Sequence, residues 1–306
     1  MQLRALSLSI MTSDRENCNA GCQFCISRTT PGDVIDPREP KHCSEARLQV
    51  ALGYAKALGA THGILTGKAD PTQEKPEYLC GLVRSVRQHL PLCDMHTNGF
   101  LLHPGKNREH LLAGLVDAGL TMVTLSIASF DEDGNRELMG IRQSAAELIP
   151  LARELGLMVR CSLVVCKGGA SNTDEVLAYV RQAGELGAQS VVVREVWRPE
   201  VLTPVNERVY AWNHENAIEI QPIEDDIADI AETKGNPHSL HKLYTLPWGR
   251  KVFAFGEGTF RDPSHAVQVV VSTSGDNFRG GTYQTLVLRP DGNVYGGWES
   301  KGSILA

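Results

Sequence analysis

Four segments of this chain repeat one form: apolar residues at helical spacing, then a glycine, then a short strand-like run. They read YAKALGATHGILTG (54–67), LVDAGLTMVTLSIAS (115–129), LARELGLMVRCSLVVC (151–166) and VRQAGELGAQSVVVREV (180–196). Gly59, Gly119, Gly156 and Gly187 stand where a helix ends in a left-handed residue, and the β-branched residues after them favour strand. With ALSLSIM (5–11) and CDMHT (93–97) the pattern predicts six strands separated by helices. Alternating strand and helix gives parallel strands with right-handed crossovers, so the fold is either a doubly wound sheet or a partial barrel. No GxGxxG follows the first strand, which disfavours a dinucleotide-binding sheet.

Helix starts are also legible. Ser144 with Glu147 reads as a capping box, Thr173 precedes DEVLAYVRQAG with acid in its first turn, and Pro150 predicts a kink or late start in the 144–155 helix. After about residue 198 the pattern changes to a polar stretch, the acidic run IEDDIADIAE, and strand-like VQVVVST and TLVLRPDGNVYGGW, with PDG as a turn. The division expected is 1–198 for the repeats and 199–306 for an extension packed on them. The acidic runs DEDGNRE (131–137) and IEDDIADIAE are expected to be solvated surface.

A chain of 306 residues with 42% hydrophobic and 22% charged composition can bury one large core. Its net charge of -6 argues against a nucleic-acid partner, since gripping phosphates needs clustered Lys and Arg; a small molecule or a peptide is the expected substrate. No apolar run approaches the length of a membrane span, and MQLRALSLSIMTSDREN lacks the pattern of a secretory signal. The expectation is a cytoplasmic protein with no membrane partner.

Three of the eight cysteines, Cys18, Cys22 and Cys25, lie in ENCNAGCQFCIS (16–27). In a reducing compartment so dense a group holds metal more readily than it forms disulfides. A structural zinc site wants four ligands, which His42 and Cys43 would complete. Three unrelated core cysteines are disfavoured by the polar neighbours Asn17, Asn19, Gly21 and Gln23. An ordinary electron-transfer iron-sulfur cluster takes four cysteines. Three ligands leave a metal position open, as catalytic sites do.

The loop C-x3-C-x-F-C directly after the first strand of a βα repeat resembles that of the radical S-adenosylmethionine (SAM) superfamily. MHTNGFLL (95–102) is similar to the family's TNG segment, LSIASFD (125–131) to its fourth-strand segment, and VRCSLVVCKGGASN (159–172) to the fifth-strand segment of the molybdenum-cofactor cyclase and viperin-like branch. The resemblance covers roughly residues 5 to 197. It implies a (β/α)6 partial TIM barrel with a C-terminal α+β extension over its mouth. It also implies one 4Fe-4S cluster on Cys18, Cys22 and Cys25, whose open iron chelates SAM. A reduced cluster would cleave SAM to a 5'-deoxyadenosyl radical that abstracts hydrogen from a small hydroxylated substrate such as a sugar, nucleoside or nucleotide. A flavodoxin- or ferredoxin-type electron donor is implied as partner.

Carried onto this chain, the family's SAM contacts fall on Phe24, Thr66, Gly67, Lys68, Asp70, Thr97, Asn98, Ser126, Arg160, Ser162 and Arg194. Where the family has a GGEP-like motif this chain has TGKADPT (66–72), so either Asp70 takes the Glu role or backbone carbonyls serve. No cysteine follows Cys166, which excludes a cysteine-ligated second cluster in the tail and disfavours the peptide-modifying relatives that carry one. Those relatives also have a peptide-recognition domain ahead of the barrel, whereas here the first strand comes almost at Met1. A peptide-modifying enzyme and a non-catalytic iron-sulfur or zinc protein are the alternative readings.

Strand alternation predicts which side chains line the barrel. In the fifth strand Val159, Cys161, Leu163 and Val165 share one face and Arg160, Ser162, Val164 and Cys166 the other; in the fourth, Val123, Leu125 and Ile127 oppose Thr124, Ser126 and Ala128. The polar faces are expected in the lumen. Cys166 there is either a packing residue or a hydrogen-atom donor to a substrate radical, which would make the reaction an epimerisation. In the extension, Arg289, Asp291, Tyr295 and Trp298 are either packing or substrate contacts.

Overall fold

The computed structural model describes residues 3–12, 18–28, 41–103, 105, 110–204, 206–246, 249–256, 266–272, 277–298 and 304–306. The repeat region forms β1 (Arg4–Met11), α1 (Glu45–Ala57), β2 (His62–Thr66), α2 (Pro76–His89), β3 (Leu92–Thr97), α3 (Leu111–Asp117), β4 (Met122–Ser126), α4 (Glu132–Met139), α5 (Ala145–Glu154), β5 (Met158–Val165), α6 (Thr173–Glu185) and β6 (Ser190–Glu195). These six strands pair in chain order, every pair parallel. Right-handed crossovers between strands laid down in sequence put every helix on one face, which rolls the sheet; a doubly wound sheet would reverse its order partway.

Gly59, Gly119, Gly156 and Gly187 do take left-handed backbone, with φ of 91°, 108°, 81° and 100°. The helix starts differ in detail. Ser144 caps α5 without a side-chain hydrogen bond. Glu147 instead meets His103 at 3.3 Å. The cap of α6 is Asn172, whose Oδ1 accepts from Glu175 N at 3.0 Å, with Thr173 already inside the helix. Pro150 sits within α5, which begins at Ala145 and so has no late start.

Residues 199–306 supply α7 (Glu207–Asn216), α8 (Ile220–Glu232), β7 (His241–Thr245), β8 (Lys251–Phe255), β9 (Val267–Ser272), β10 (Phe278–Arg279), β11 (Thr282–Leu288) and β12 (Val294–Tyr295). Their strands extend the same sheet at both edges. β9 lies parallel beside β6, followed by antiparallel β8 and β7, while β11 lies parallel beside β1 and carries β10 and β12. Only four residues separate Ser272, at the end of β9, from Asn277. Chain geometry therefore holds those two points within roughly 18 Å. Asn277 Nδ2 donates to Thr285 O and Gly296 O at 2.7 and 2.6 Å, so it is fastened to β11. The end of β9 must therefore approach β11, which closes much of the roll.

The main core fills the space between the outer face of the sheet and the helices, including Leu8, Ile10, Leu52, Leu65, Val86, Met95, Leu125, Leu163 and Val193. Gly63 lets α2 come close: a Cβ there would stand 2.5 Å from a Val86 methyl carbon. The acidic runs are not wholly solvated. Glu224 of α8 is buried and pairs with Arg250 at 3.1 Å, and Asn135 of α4 is fully buried. Among the described residues no helix is long and apolar enough to cross a membrane.

Candidate functional site

The cysteine loop follows the C-terminal end of β1, where Thr12 N donates to Thr66 O at 2.7 Å. Main-chain bonds dock it on the end of α4: Gly21 N donates to Met139 O at 2.8 Å and Gln23 N to Leu138 O at 2.9 Å. Gly140, just past α4, has φ 70°, and a Cβ on it would lie 3.1 Å from Gly21 N and Cα. Asn19 joins the loop to two neighbours, its N donating to Gln73 Oε1 at 3.3 Å and its Oδ1 accepting from Asn98 Nδ2 at 2.8 Å. Phe24 faces Trp212 of α7 with ring centroids 6.2 Å apart. Cys18, Cys22 and Phe24 pack on a cluster made of Ala20, Ala128, Leu138, Met139, Ile141, Cys166 and Val196.

Burial raises the thiol pKa of Cys18 and Cys22. For Cys22 the neighbouring Cys25 and Cys18 raise it further, so the three sulfurs share one electrostatic neighbourhood. A bound metal centre reverses that balance, because its positive charge favours thiolates. Among the described residues no three His, Cys, Asp or Glu side chains gather as around a single ion. His42 is engaged elsewhere, 3.0 Å from Glu74 and stacked on Tyr78 with centroids 3.9 Å apart, so it does not complete a zinc site. Three thiols on one loop, with no fourth ligand beside them among the described residues, suit a four-iron cube that keeps one iron for another molecule.

Beside the loop, Asp70 is a buried hub. Its carboxylate accepts from Thr72 N at 3.0 Å, from Asn98 N at 2.6 Å and from the hydroxyls of Thr72 and Thr97. Thr97 therefore turns to Asp70, on the face of β3 opposite Asp94 and His96. Asn98 continues the chain of contacts to Asn19, and its carbonyl accepts from Gln143 Nε2. Lys68 is buried in the same segment, and Thr66 ends β2 half-buried. Gly67 joins the two. Asn135 Oδ1 accepts from Ala128 N and Ser129 N, both at 3.0 Å, and so fixes the chain just beyond β4.

The inner face of the roll is polar. Thr124 stands beside Arg160, and Ser126 beside Ser162, in the β4–β5 register, while Val164 pairs with Arg194 across β5–β6. Residues 159, 161, 163 and 165 are buried and 160, 162 and 164 half-exposed, as the alternation requires. Asp94 and His96, which the sequence reading did not single out, join them. Asp94 is buried, lies 3.0 Å from His96 Nε2 and 3.5 Å from Arg160 Nη1, and accepts from Thr124 Oγ1 at 2.9 Å. Their spacing on one face of β3 was the available signal.

Cys166 is fully buried against Leu138 and Gly169, and burial pushes its thiol up to about 11. In the extension, Arg289 is wholly buried, its guanidinium 4.0 Å from the Tyr295 ring and Nη2 donating to Trp298 O at 2.7 Å. The Tyr295 hydroxyl donates to Asp291 at 2.5 Å. These four residues pack on one another about the β11–β12 turn.

Residues 14–192 match the family model described as the radical SAM superfamily. The chain belongs to that superfamily. The family uses a 4Fe-4S cluster and SAM, and its barrel is the partial TIM barrel seen here. Among curated relatives, the chain is 30% identical over 183 residues to the GTP 3',8-cyclase of Aquifex aeolicus (strain VF5), covering 59% of this chain and 53% of that one. It is 25% identical over 223 residues to the PqqA peptide cyclase of Methylobacterium nodulans, covering 72% and 52%. The chain thus spans about half the length of the curated relatives it matches. In fold it is similar to Streptococcus suis SuiB, whose crystal structure holds S-adenosylmethionine, with a TM-score of 0.57, 16% identity, and 96% of this chain and 60% of that one covered.

Proposed function

We propose that the chain is a radical SAM enzyme that holds one 4Fe-4S cluster on Cys18, Cys22 and Cys25 and abstracts hydrogen from a small hydroxylated substrate. The observation that carries this reading is the three cysteines on one loop docked at the C-terminal mouth of a rolled parallel sheet with a polar inner face. The bound cluster and SAM together would supply a 5'-deoxyadenosyl radical; the protein's part is to orient, shield and bind.

The residues divide by position. Phe24 and Asn98 stand beside the cysteine loop, with Thr66, Gly67 and Lys68 ending and following β2, and these are the groups in reach of SAM at the mouth. Asp70 and Thr97 act as positioning residues, since each satisfies the other and together they set Asn98. Ser126 and Ser162, adjacent in register on the inner wall, face the space into which SAM would extend. Cys166, packed in an apolar cluster, serves as packing, which favours oxidation or elimination over epimerisation as the outcome. A flavodoxin- or ferredoxin-type protein would provide the electron.

Anaerobic reconstitution tests the proposal. About four irons per chain are expected, with release of 5'-deoxyadenosine from SAM and dithionite, and loss of both in Cys22→Ala. Iron near eight per chain, or a fully loaded protein that never cleaves SAM, would refute it.

A further inference from the structure

β3 carries a carboxylate and an imidazole on its inner face. Cys93 and Met95 lie in the core under the helices, so Asp94 and His96 alternate to the lumen side. The nearest nitrogen to the Asp94 carboxylate is His96 Nε2 at 3.0 Å, while Arg160 Nη1 stands at 3.5 Å. Burial alone would raise the Asp94 carboxyl, but His96, then Arg160 and Thr124, hold it below the usual carboxylate range. An ionised carboxylate has no proton to give, so Nε2 carries the hydrogen and donates it.

That assignment fixes the role of the other ring nitrogen. Nδ1 is a bare acceptor in the neutral imidazole and a donor in the charged one, and it has no hydrogen-bond partner among the described residues. The His96 side chain is 25% exposed against 1% for Asp94. Because β2 and β4 flank it and the outer face of the sheet is covered, the open part of the ring faces the hollow. The other titratable groups on inner positions nearby are His62, Arg160 and Arg194. His62 Nδ1 is engaged by Thr61 Oγ1 at 2.8 Å, and burial, then Arg160, lowers its pKa, which Asp94 offsets only in part. The arginines hold their protons throughout the neutral range. Among these groups, His96 is the one fitted to take up a proton and return it, with Asp94 holding its tautomer and orientation.

We propose that His96, oriented by Asp94, is the proton-transfer residue of the lumen, and that the substrate is a vicinal diol that loses water. The inference rests on the reading above that hydrogen is abstracted from a small hydroxylated molecule, and it names the class of reaction that follows. Once hydrogen has left a carbon that bears a hydroxyl, that hydroxyl becomes more acidic. Its proton passes to Nδ1, and Asp94 balances the charge of the imidazolium. The C–O bond on the neighbouring carbon then breaks with its electron pair, and the leaving hydroxide takes the proton from Nδ1 and departs as water. A carbonyl forms at the first carbon and the unpaired electron moves to the second. Through these steps no electron enters or leaves the substrate. The second carbon then regains one hydrogen atom, either from 5'-deoxyadenosine or as an electron from the donor with a proton from water, and the product is the diol less one water.

The test incubates the reconstituted enzyme, SAM and dithionite with a protein-free small-molecule cell extract, and mass spectrometry reads which compound is consumed and what replaces it. Wild type should yield a product lighter than the consumed compound by one water. In H96Q the ratio of that product to 5'-deoxyadenosine should fall about a hundredfold, and in D94N by less, since the imidazole remains but loses its orientation. The wild-type ratio should follow an ionisation near neutral pH that H96Q lacks. Nitrogen-15 NMR of histidine-labelled protein, with H96Q for assignment, should place the hydrogen of the neutral ring on Nε2. A purely structural histidine would lower iron content, 5'-deoxyadenosine and product together and leave the ratio unmoved. An unmoved ratio in H96Q, a product that has lost no water, or a neutral ring with its hydrogen on Nδ1 would overturn the proposal while the enzyme reading stands. SAM cleavage with no compound consumed would remove the small-substrate reading and this inference with it; a fully loaded protein that never cleaves SAM would remove the enzyme reading itself.

Discussion

Both carboxylate oxygens of Asp70 accept hydrogen bonds from within the protein, and this determines what the side chain can do. Four donors converge on it: Thr72 N, Thr72 Oγ1, Thr97 Oγ1 and Asn98 N. Asp70→Ala leaves those buried groups without an acceptor, and the expected cost is about 3 kcal/mol. Asp70→Asn, which retains one acceptor oxygen, should fall between. Urea unfolding of the iron-free protein reads the difference. Because Asn98 Nδ2 holds Asn19 of the cysteine loop, Asp70→Ala should also reconstitute with less iron. Wild-type stability in Asp70→Ala would mean that the carboxylate faces a ligand instead. TGKADPT stands where the resembled family has its GGEP-like motif, but the partners of Asp70 come from the end of β3, twenty-seven and twenty-eight residues on, and no local pattern announces them.

At the scale of elements, the end of α4 shapes the cysteine loop. The carbonyls of Leu138 and Met139 accept from the loop, and Gly140 passes so close to Gly21 that a methyl group would press on its backbone. Gly140→Ala carries two costs, the left-handed φ and the contact. Gly156, also left-handed at φ 81° but with nothing within 4 Å of an added Cβ, carries only the first. Gly156→Ala should lose about 1 kcal/mol of stability from the left-handed backbone, and Gly140→Ala more. Gly140→Ala alone should take up less iron on reconstitution, measured per folded chain. Equal iron in the two variants would show that the loop tolerates displacement. The elements themselves were legible as a repeat, since apolar spacing and a terminal glycine are local properties. Which carbonyls meet the cysteines was not, because the α4–loop contact spans more than a hundred residues of chain.

Across the whole molecule, buried thiols link stability to pH. Cys93 and Cys161 are buried and raised to about 12, while an unfolded thiol ionises near 9.0. Raised folded pKa values give a contribution that is complete below pH 9 and is lost above it, as the unfolded chain sheds protons first. Each such thiol should remove about 1.4 kcal/mol per pH unit between pH 9 and about 12. Urea titrations of the iron-free protein over pH 8 to 11 should therefore show a smaller decline in Cys161→Ala than in wild type. Identical slopes would mean that Cys161 ionises freely in the folded chain.

The sequence by itself determined the repeated α-then-β unit, the parallel strands and the inner-face alternation of β4 and β5, because helix and strand periods and glycine's φ freedom act over a few residues. It also marked the three cysteines, since ligand spacing on one loop is local. Tertiary structure decided the rest. The 199–306 strands divide between the two far edges of one sheet, a pairing set by which edges remain open once six strands have rolled. Glu224 and Asn135, read as solvated from their acidic surroundings, are buried because distant groups meet them there. Asp94 gathers His96, Thr124 and Arg160 from three strands. Charge balance inside a barrel depends on which side chains point inward from every strand at once, and the order of residues in any one segment does not contain it.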